Sequence, residues 1–363
     1  MEEIYKQLAK KLDMVPAGFP ATESGLELEI LSWIFTPDEA AVALELMFEP
    51  ETVETISKRL KKPVEETEAI LEKMRENEQI MCFNIAGAPS YLLPPYYPGI
   101  HDCQNFRKDK TIEELQKYAL LFDEYYPLLI KTAGYYKPAL TRVVPVSTSV
   151  EPGLKIHRLD DVHRMMGGAK SIHLMDCVCR KEKAVIGKAC NHSLEVCMML
   201  SSQENIFSKW PHGRDISLEE AMKVIDQTEK EGLVHTTYNA DDSGNTFLCA
   251  CCPCCSIFLS GLVKFKAPYI LTQSSFVSRI DKELCRQGGK CGICANERCP
   301  MDAVTEEENG YRVIPERCIG CGVCLSVCPT EAIALIPRPK DEMEEIPPTL
   351  QDWAMRRAAE RWK

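Results

Sequence analysis

Residues 318–329 read Cys318-Ile-Gly-Cys321-Gly-Val-Cys324-Leu-Ser-Val-Cys328-Pro329, a C-x2-C-x2-C-x3-C-P run. Three thiols two residues apart can wrap one corner of a compact inorganic centre, and Gly320 and Gly322 let backbone amides approach it. The fourth cysteine, fixed by Pro329, turns away from the other three. A second copy precedes the run, since Cys299-Pro300-Met301-Asp302-Ala303-Val304 repeats Cys328-Pro329-Thr330-Glu331-Ala332-Ile333. That copy is looser, with Cys285, Cys291, Cys294 and Cys299 separated by five, two and four residues. Zinc is the competing use of C-x2-C pairs, but a zinc ribbon needs neither the third x2 step nor the Cys-Pro.

Around this stretch the chain has 363 residues, 45% of them hydrophobic and 27% charged, enough to pack two or three domains. The start, MEEIYKQLAKKLDM, has no apolar leader region, and apolar runs such as Ile257 to Val263 are too short to span a bilayer. The expectation is a cytoplasmic protein with no membrane insertion. Nineteen cysteines in a reducing compartment point to metal ligation rather than a disulfide framework. A net charge of −11 argues against nucleic acid, whose affinity comes from phosphate neutralisation by Lys and Arg.

The run 318–329 and its copy resemble the bacterial two-cluster ferredoxins over about 70 residues. The resemblance implies two 4Fe-4S clusters. One takes Cys285, Cys291, Cys294 and Cys328, the other Cys318, Cys321, Cys324 and Cys299. The whole chain also resembles multi-cluster iron-sulfur proteins of anaerobes.

Only Cys82 and Cys103 lie in the first 140 residues, apart from any partner, and they read as structural. Nine more cysteines fall between the two regions. Asp176-Cys177-Val178-Cys179-Arg180 places two thiols on one side of an extended segment, and Cys190 and Cys197, seven apart, would share a helix face. Farther on, Cys249-Ala-Cys251-Cys252-Pro253-Cys254-Cys255 repeats the C-x2-C-x2-C step at Cys249, Cys252 and Cys255. A capping box at Ser217 to Glu220 opens a helix closed by Gly232, and a hairpin, Val234–Thr237 with Thr246–Cys249, carries the second group back toward the first. These nine suffice for one or two further 4Fe-4S clusters. Buried free thiols and disulfides are the blander alternatives, and adjacent cysteines pair poorly with each other. Arg180 would neutralise a cluster or form a surface salt bridge; His173 and His192 read as hydrogen-bonding residues.

The expected fold is α+β and multidomain. Residues 1–137 form a helical, winged-helix-like docking domain, 138–152 a linker, 153–267 a cysteine-rich α/β cluster-binding domain, 268–337 the ferredoxin-like module, and 338–363 a tail helix. The first part reads as Leu26 to Phe48, Glu51 to Leu60, a Lys61-Lys62-Pro63 break and Val64 to Met81, resembling a winged helix-turn-helix. Residues 1–140 hold 24 acidic and 15 basic residues, and the helix that would enter a DNA groove begins with Glu65, Glu66 and Glu68, so protein docking is expected there. No G-x-x-x-x-G-K-[ST] and no G-x-G-x-x-G occurs, so no flavin, NAD or ATP site is seen, and no triad or carboxylate pair marks a catalytic residue. The expected function is single-electron transfer through 4Fe-4S clusters between redox partner proteins. The chain would act as a subunit of an anaerobic oxidoreductase complex rather than a stand-alone enzyme. The alternatives are a reductase with a catalytic cluster in the middle domain and a redox-sensing DNA-binding regulator.

Overall fold

The computed structural model describes residues 2–146, 158–242, 244–287 and 291–363. The chain opens with the helices Glu2–Asp13, Leu26–Ile34, Pro37–Glu45, Val53–Leu60 and Val64–Glu76. Tyr5, Leu8 and Leu12 recur at helical spacing and bury one face of the first. Thr36 and Glu39 form a capping box that starts the third. The break at Lys61 is a left-handed residue, φ 55°, that turns the chain between the fourth and fifth. The hairpin Met81–Ile85 with Ala88–Leu92 follows, and Glu51–Thr52 pairs with its second strand. The hairpin is not free. Asn84 donates its backbone N–H to the Ile206 carbonyl at 3.1 Å, and Phe83 lies 6.3 Å from Phe207 and 5.9 Å from Trp210, centroid to centroid.

A seven-stranded sheet forms the centre, in the order Leu271–Thr272, Thr141–Val144, Val234–Tyr238, Asn245–Cys251, Glu195–Ser201, Ser171–Asp176, Arg214–Asp215. Only the first pair is parallel. The hairpin is as expected, with Val234 opposite Cys251 and Thr236 opposite Cys249. The expected linker is not one in its first half. Thr141–Val144 is fully buried between two other strands, because its β-branched residues suit a covered position, and the Arg142–Asp160 ion pair, 2.9 Å, is buried beside it. Residues 147–152 of that stretch lie outside the described residues. Ser217 caps Leu218–Lys230 through the Glu220 N–H, but the Glu220 carboxylate pairs with Arg214 at 2.6 Å instead of closing the box.

One apolar cluster runs through the chain from Tyr5 to Trp353, joining the first helices, the long helix Ile112–Ala133, the sheet and the tail. Across it the Tyr126 hydroxyl donates to the Ile257 carbonyl at 2.7 Å. The tail helix Leu350–Arg361 docks through Trp353, whose indole donates to the Ala139 carbonyl at 2.8 Å. Arg357 is buried and donates to four carbonyls: Pro16 at 3.2 Å, Tyr136 at 2.5 Å, Pro138 at 2.7 Å, and Ala133. Burial lowers its pKa to about 10, which leaves it charged at neutral pH. Among the described residues no helix is long and apolar enough to cross a membrane.

Replacing Arg357 with Ala strands those carbonyls, and we expect a loss of more than about 3 kcal/mol, read as the shift in urea midpoint; an unchanged midpoint would show that the tail is not anchored by this residue. A second expectation concerns acid. His235 is buried, donates Nε2–H to Thr228 Oγ1 at 2.8 Å, and is pushed down to about 4 by burial alone. Its folded pKa lies below the unfolded value near 6.5, so its neutral form stabilises the fold above that pH and the contribution is lost as pH falls toward 4, on the order of 3 kcal/mol. The stability difference between wild type and His235→Gln should shrink across this window. A difference that stays constant would remove His235 as the cause.

Candidate metal centres

The C-terminal module has two antiparallel strand pairs, Phe276–Ile280 with Ile333–Pro337 from its two ends and the hairpin Val304–Glu307 with Gly310–Val313. Between them lie two cavities. The first is lined by Cys285, Cys291, Cys294 and Cys328; the second by Cys299, Cys318, Cys321 and Cys324. Cys299 and Cys328 each line the cavity of the other run. Remaining walls are largely apolar, with Ile280, Ile333 and Tyr311 around the first and Met301, Val313 and Ile319 around the second.

The internal repeat shows in the hydrogen bonding. Ala303 donates its N–H to Cys299 Sγ at 3.3 Å, and Ala332, its counterpart, to Cys328 Sγ at 3.2 Å. Asp302 and Glu331 hold the same left-handed turn, φ 48° and 54°. The sequence did not single out Ser278. Its N–H points to Cys318 Sγ at 3.4 Å and its hydroxyl lies 3.5 Å from Cys324 Sγ, contacts of the kind that tune a bound metal centre. Burial, reinforced by neighbouring thiols, pushes Cys294 up to about 11 and Cys324 up to about 12, and raises Cys321 well above the ordinary thiol value. Such groups ionise only against a cationic core, so the donor set fits a thiolate-ligated cluster.

The module is seated on the sheet. Val146 N–H bonds to the Cys321 carbonyl at 3.0 Å, Ser274 N–H to that of Ile319 at 3.0 Å, and the buried Arg338 guanidinium donates to that of Cys318. A surface groove between module and sheet, lined by Lys266, Gln273, Asp302, Arg317 and Cys318 among others, passes beside Cys318.

The middle cysteines divide differently from the sequence expectation. Cys177 caps the helix Val178–Val185 and Cys179 is inside it, so the segment is not extended. Cys190 sits in a loop and Cys197 in the strand Glu195–Ser201, so they share no helix. Nor does the C-x2-C-x2-C step act as a unit, because Cys249 is still in the strand while Cys252 and Cys255 lie in the turn beyond it. Two groups result. Cys177 meets Cys179 and Cys197, and Cys197 meets Cys249, with Cys251 close by. Cys190, Cys252, Cys254 and Cys255 form the other, their sulfurs all within 4.8 Å of one another.

Arg180 lies between the groups, buried, donating to the Ser193 carbonyl at 2.9 Å and the Ala250 carbonyl at 2.8 Å. Burial disfavours its charge, but the sulfurs of Cys177, Cys252, Cys197 and Cys251 raise its pKa above the ordinary guanidinium value. Cys252 is drawn down to about 4, first by the Cys255 thiol and then, against desolvation, by Arg180. His173 is held by Asp215 at 2.7 Å and the His212 carbonyl at 2.8 Å, and His192 faces Glu231 at 3.5 Å. Cys82 and Cys103 are buried free thiols, Cys82 pushed up to about 11 by burial.

Residues 311–334 match the 4Fe-4S binding domain family. An uncharacterized ferredoxin of Methanocaldococcus jannaschii is 43% identical over 61 residues, 16% of this chain and 92% of that protein. The chain belongs, through this module, to the 4Fe-4S ferredoxins. A ferredoxin 7Fe of Hydrogenibacillus schlegelii is 46% identical over 46 residues, covering 13% of the chain and 58% of the relative. The electron transport protein HydN of Escherichia coli is 35% identical over 78 residues, 19% of the chain and 43% of that protein. The chain thus spans less than two thirds of these last two relatives, and no solved structure matches it. The ferredoxin module supports 4Fe-4S binding and an iron-sulfur electron-transfer role.

Gly320 lies inside the intact ferredoxin run at φ 68°, where an added Cβ would stand 2.1 Å from the Phe276 carbonyl oxygen. Gly320→Ala should displace Cys318 and Cys321 and remove about half of the module's iron and sulfide. Full iron content in a folded Gly320→Ala protein would mean that the loop does not form the second centre.

Proposed function

We propose that the chain is a multi-cluster electron carrier. Cys285, Cys291, Cys294 and Cys328 hold one 4Fe-4S cluster, Cys299, Cys318, Cys321 and Cys324 a second, and Cys177, Cys179, Cys197 and Cys249 a further one in the middle domain. The observation that carries this reading is the pair of four-cysteine cavities with exchanged fourth ligands. Each cluster passes one electron without proton chemistry, at a potential set by the N–H···S contacts from Ala303, Ala332 and Ser278, by burial and by net charge. The acidic chain favours low potentials. In this reading the chain works in a reducing, anaerobic cytoplasm as a subunit of an oxidoreductase complex, a setting in which ligating thiols stay reduced.

The first part, read as a winged-helix-like domain, docks a redox protein rather than DNA. Glu65, Glu66 and Glu68 are exposed at the start of its fifth helix, while nearby Arg59 and Lys62 are tied to Glu51 and Glu66. Its hairpin is packed against residues 206–210. The groove beside Cys318 is the second docking face.

Cys321→Ser should abolish one low-potential signal in electron paramagnetic resonance after dithionite reduction and lower the iron content of anaerobically purified protein by up to about four. An unchanged spectrum and iron content would sink the ligand assignment.

A further inference from the structure

The two kinds of cysteine group differ in spacing, and spacing separates two kinds of metal centre. In a cubane each cysteine binds its own iron, and the four thiolates point outward from separate corners. Four ligands of a single tetrahedral ion stand much closer, because a metal–sulfur bond of about 2.3 Å makes the edge of the sulfur tetrahedron about 3.8 Å. The ferredoxin cysteines line two cavities, four to each, and neither set of sulfurs is gathered within 4.8 Å. Among the described residues, the only set of three or more potential ligands gathered within 4.8 Å is Cys190, Cys252, Cys254 and Cys255, and Cys190 and Cys252 stand 3.8 Å apart, sulfur to sulfur.

We infer that Cys190, Cys252, Cys254 and Cys255 hold one tetrahedral divalent ion, zinc or iron, and not an iron-sulfur cluster. Three ligands come from a single turn. Pro253 lies within it, and Ser256 ends it by accepting from Leu259 N–H at 3.3 Å to start the next helix. The fourth comes from the 187–193 loop, whose far end is pinned by Ser193, its N–H donating to Glu231 at 2.9 Å. Four thiolates on a divalent ion carry a net charge of −2. Arg180, fixed by the Ser193 and Ala250 carbonyls, and Lys264, donating to the Cys254 carbonyl at 3.0 Å, supply positive charge nearby. The ion closes the loop onto the turn across some 60 residues of sequence, which is the use of a closed four-thiolate site.

The test is a metal and acid-labile sulfide count on the full chain purified anaerobically. Cluster iron comes with an equal amount of sulfide, so the inference expects about one metal ion per chain beyond the sulfide, as zinc in one arm or as sulfide-free iron in the other. Cys254→Ser, at the one exposed ligand, should remove that ion and leave sulfide unchanged. Iron equal to sulfide with no zinc in wild type overturns the inference, as does a variant that loses iron and sulfide together. X-ray absorption at the metal edge of the wild-type protein needs no variant to fold. Four sulfurs at about 2.3 Å with no neighbouring metal is the expected result for zinc, and a metal neighbour overturns it. Sulfide too low for the ferredoxin module would instead refute the electron-carrier proposal, so the two failures are distinguishable.

Discussion

Thiolates repel one another, and burial disfavours each of them singly, so they converge only around positive charge. Eight cysteines of the C-terminal module line two mostly apolar cavities, and burial favours the protonated thiol at Cys294, Cys321 and Cys324. Loading must therefore be coupled to deprotonation, and the affinity of the inorganic core is also folding energy for the hairpins around it. The exchange of Cys299 and Cys328 extends this coupling. Neither cavity is complete without the other run, so the two halves of the repeat form one cooperative unit rather than two beads.

In the middle domain the same constraint is met by two different backbones. Cys177, Cys179, Cys197 and Cys249 are delivered by a helix start and two adjacent strands, which bring Cys177 against Cys179 and Cys197, and Cys197 against Cys249. Cys252, Cys254 and Cys255 come from one turn, which curls three sulfurs into a small volume that Cys190 closes. Between them Arg180 serves both groups with one guanidinium whose position is fixed by backbone carbonyls rather than by carboxylates. A carboxylate there would have competed with the thiolates for its charge.

How much of this was legible depended on the range of the signal. The ferredoxin run is local: Cys318 to Cys328 lie within a dozen residues at a spacing tied to one kind of centre, and the repeated Cys-Pro marks its looser copy, so the eight cysteines that line the two cavities were legible in the sequence. The hairpin 234–251 was legible for the same reason. The partition of the middle cysteines was not, because Cys190 and Cys252 are 62 residues apart and only the fold shows that Cys249 belongs with Cys197. Thr141–Val144 was mistaken for a linker because a short β-branched run with prolines nearby reads alike in a sheet and in an extended connection; burial decides between them, and burial is a tertiary fact. Ser278 carries no local signal at all.

On the electron-carrier proposal, the tail and the first helices bear on how the chain would meet its partners. A helix–hairpin unit on a flexible linker would present docked proteins at varying distances from the clusters. Here the unit shares its apolar core with the sheet, its hairpin edge bonds to Ile206, and the tail helix ties the 16–138 region together through the Arg357 guanidinium. Thr141–Val144 then runs as a strand into the centre, and Val146 bonds to the backbone of Cys321. A short covalent and hydrogen-bonded path thus connects the helical region to the loop that wraps the second ferredoxin centre. Electron transfer falls steeply with distance. A docking surface held in fixed register with a cluster favours one productive geometry over a search among many, which suits a carrier that serves defined partners.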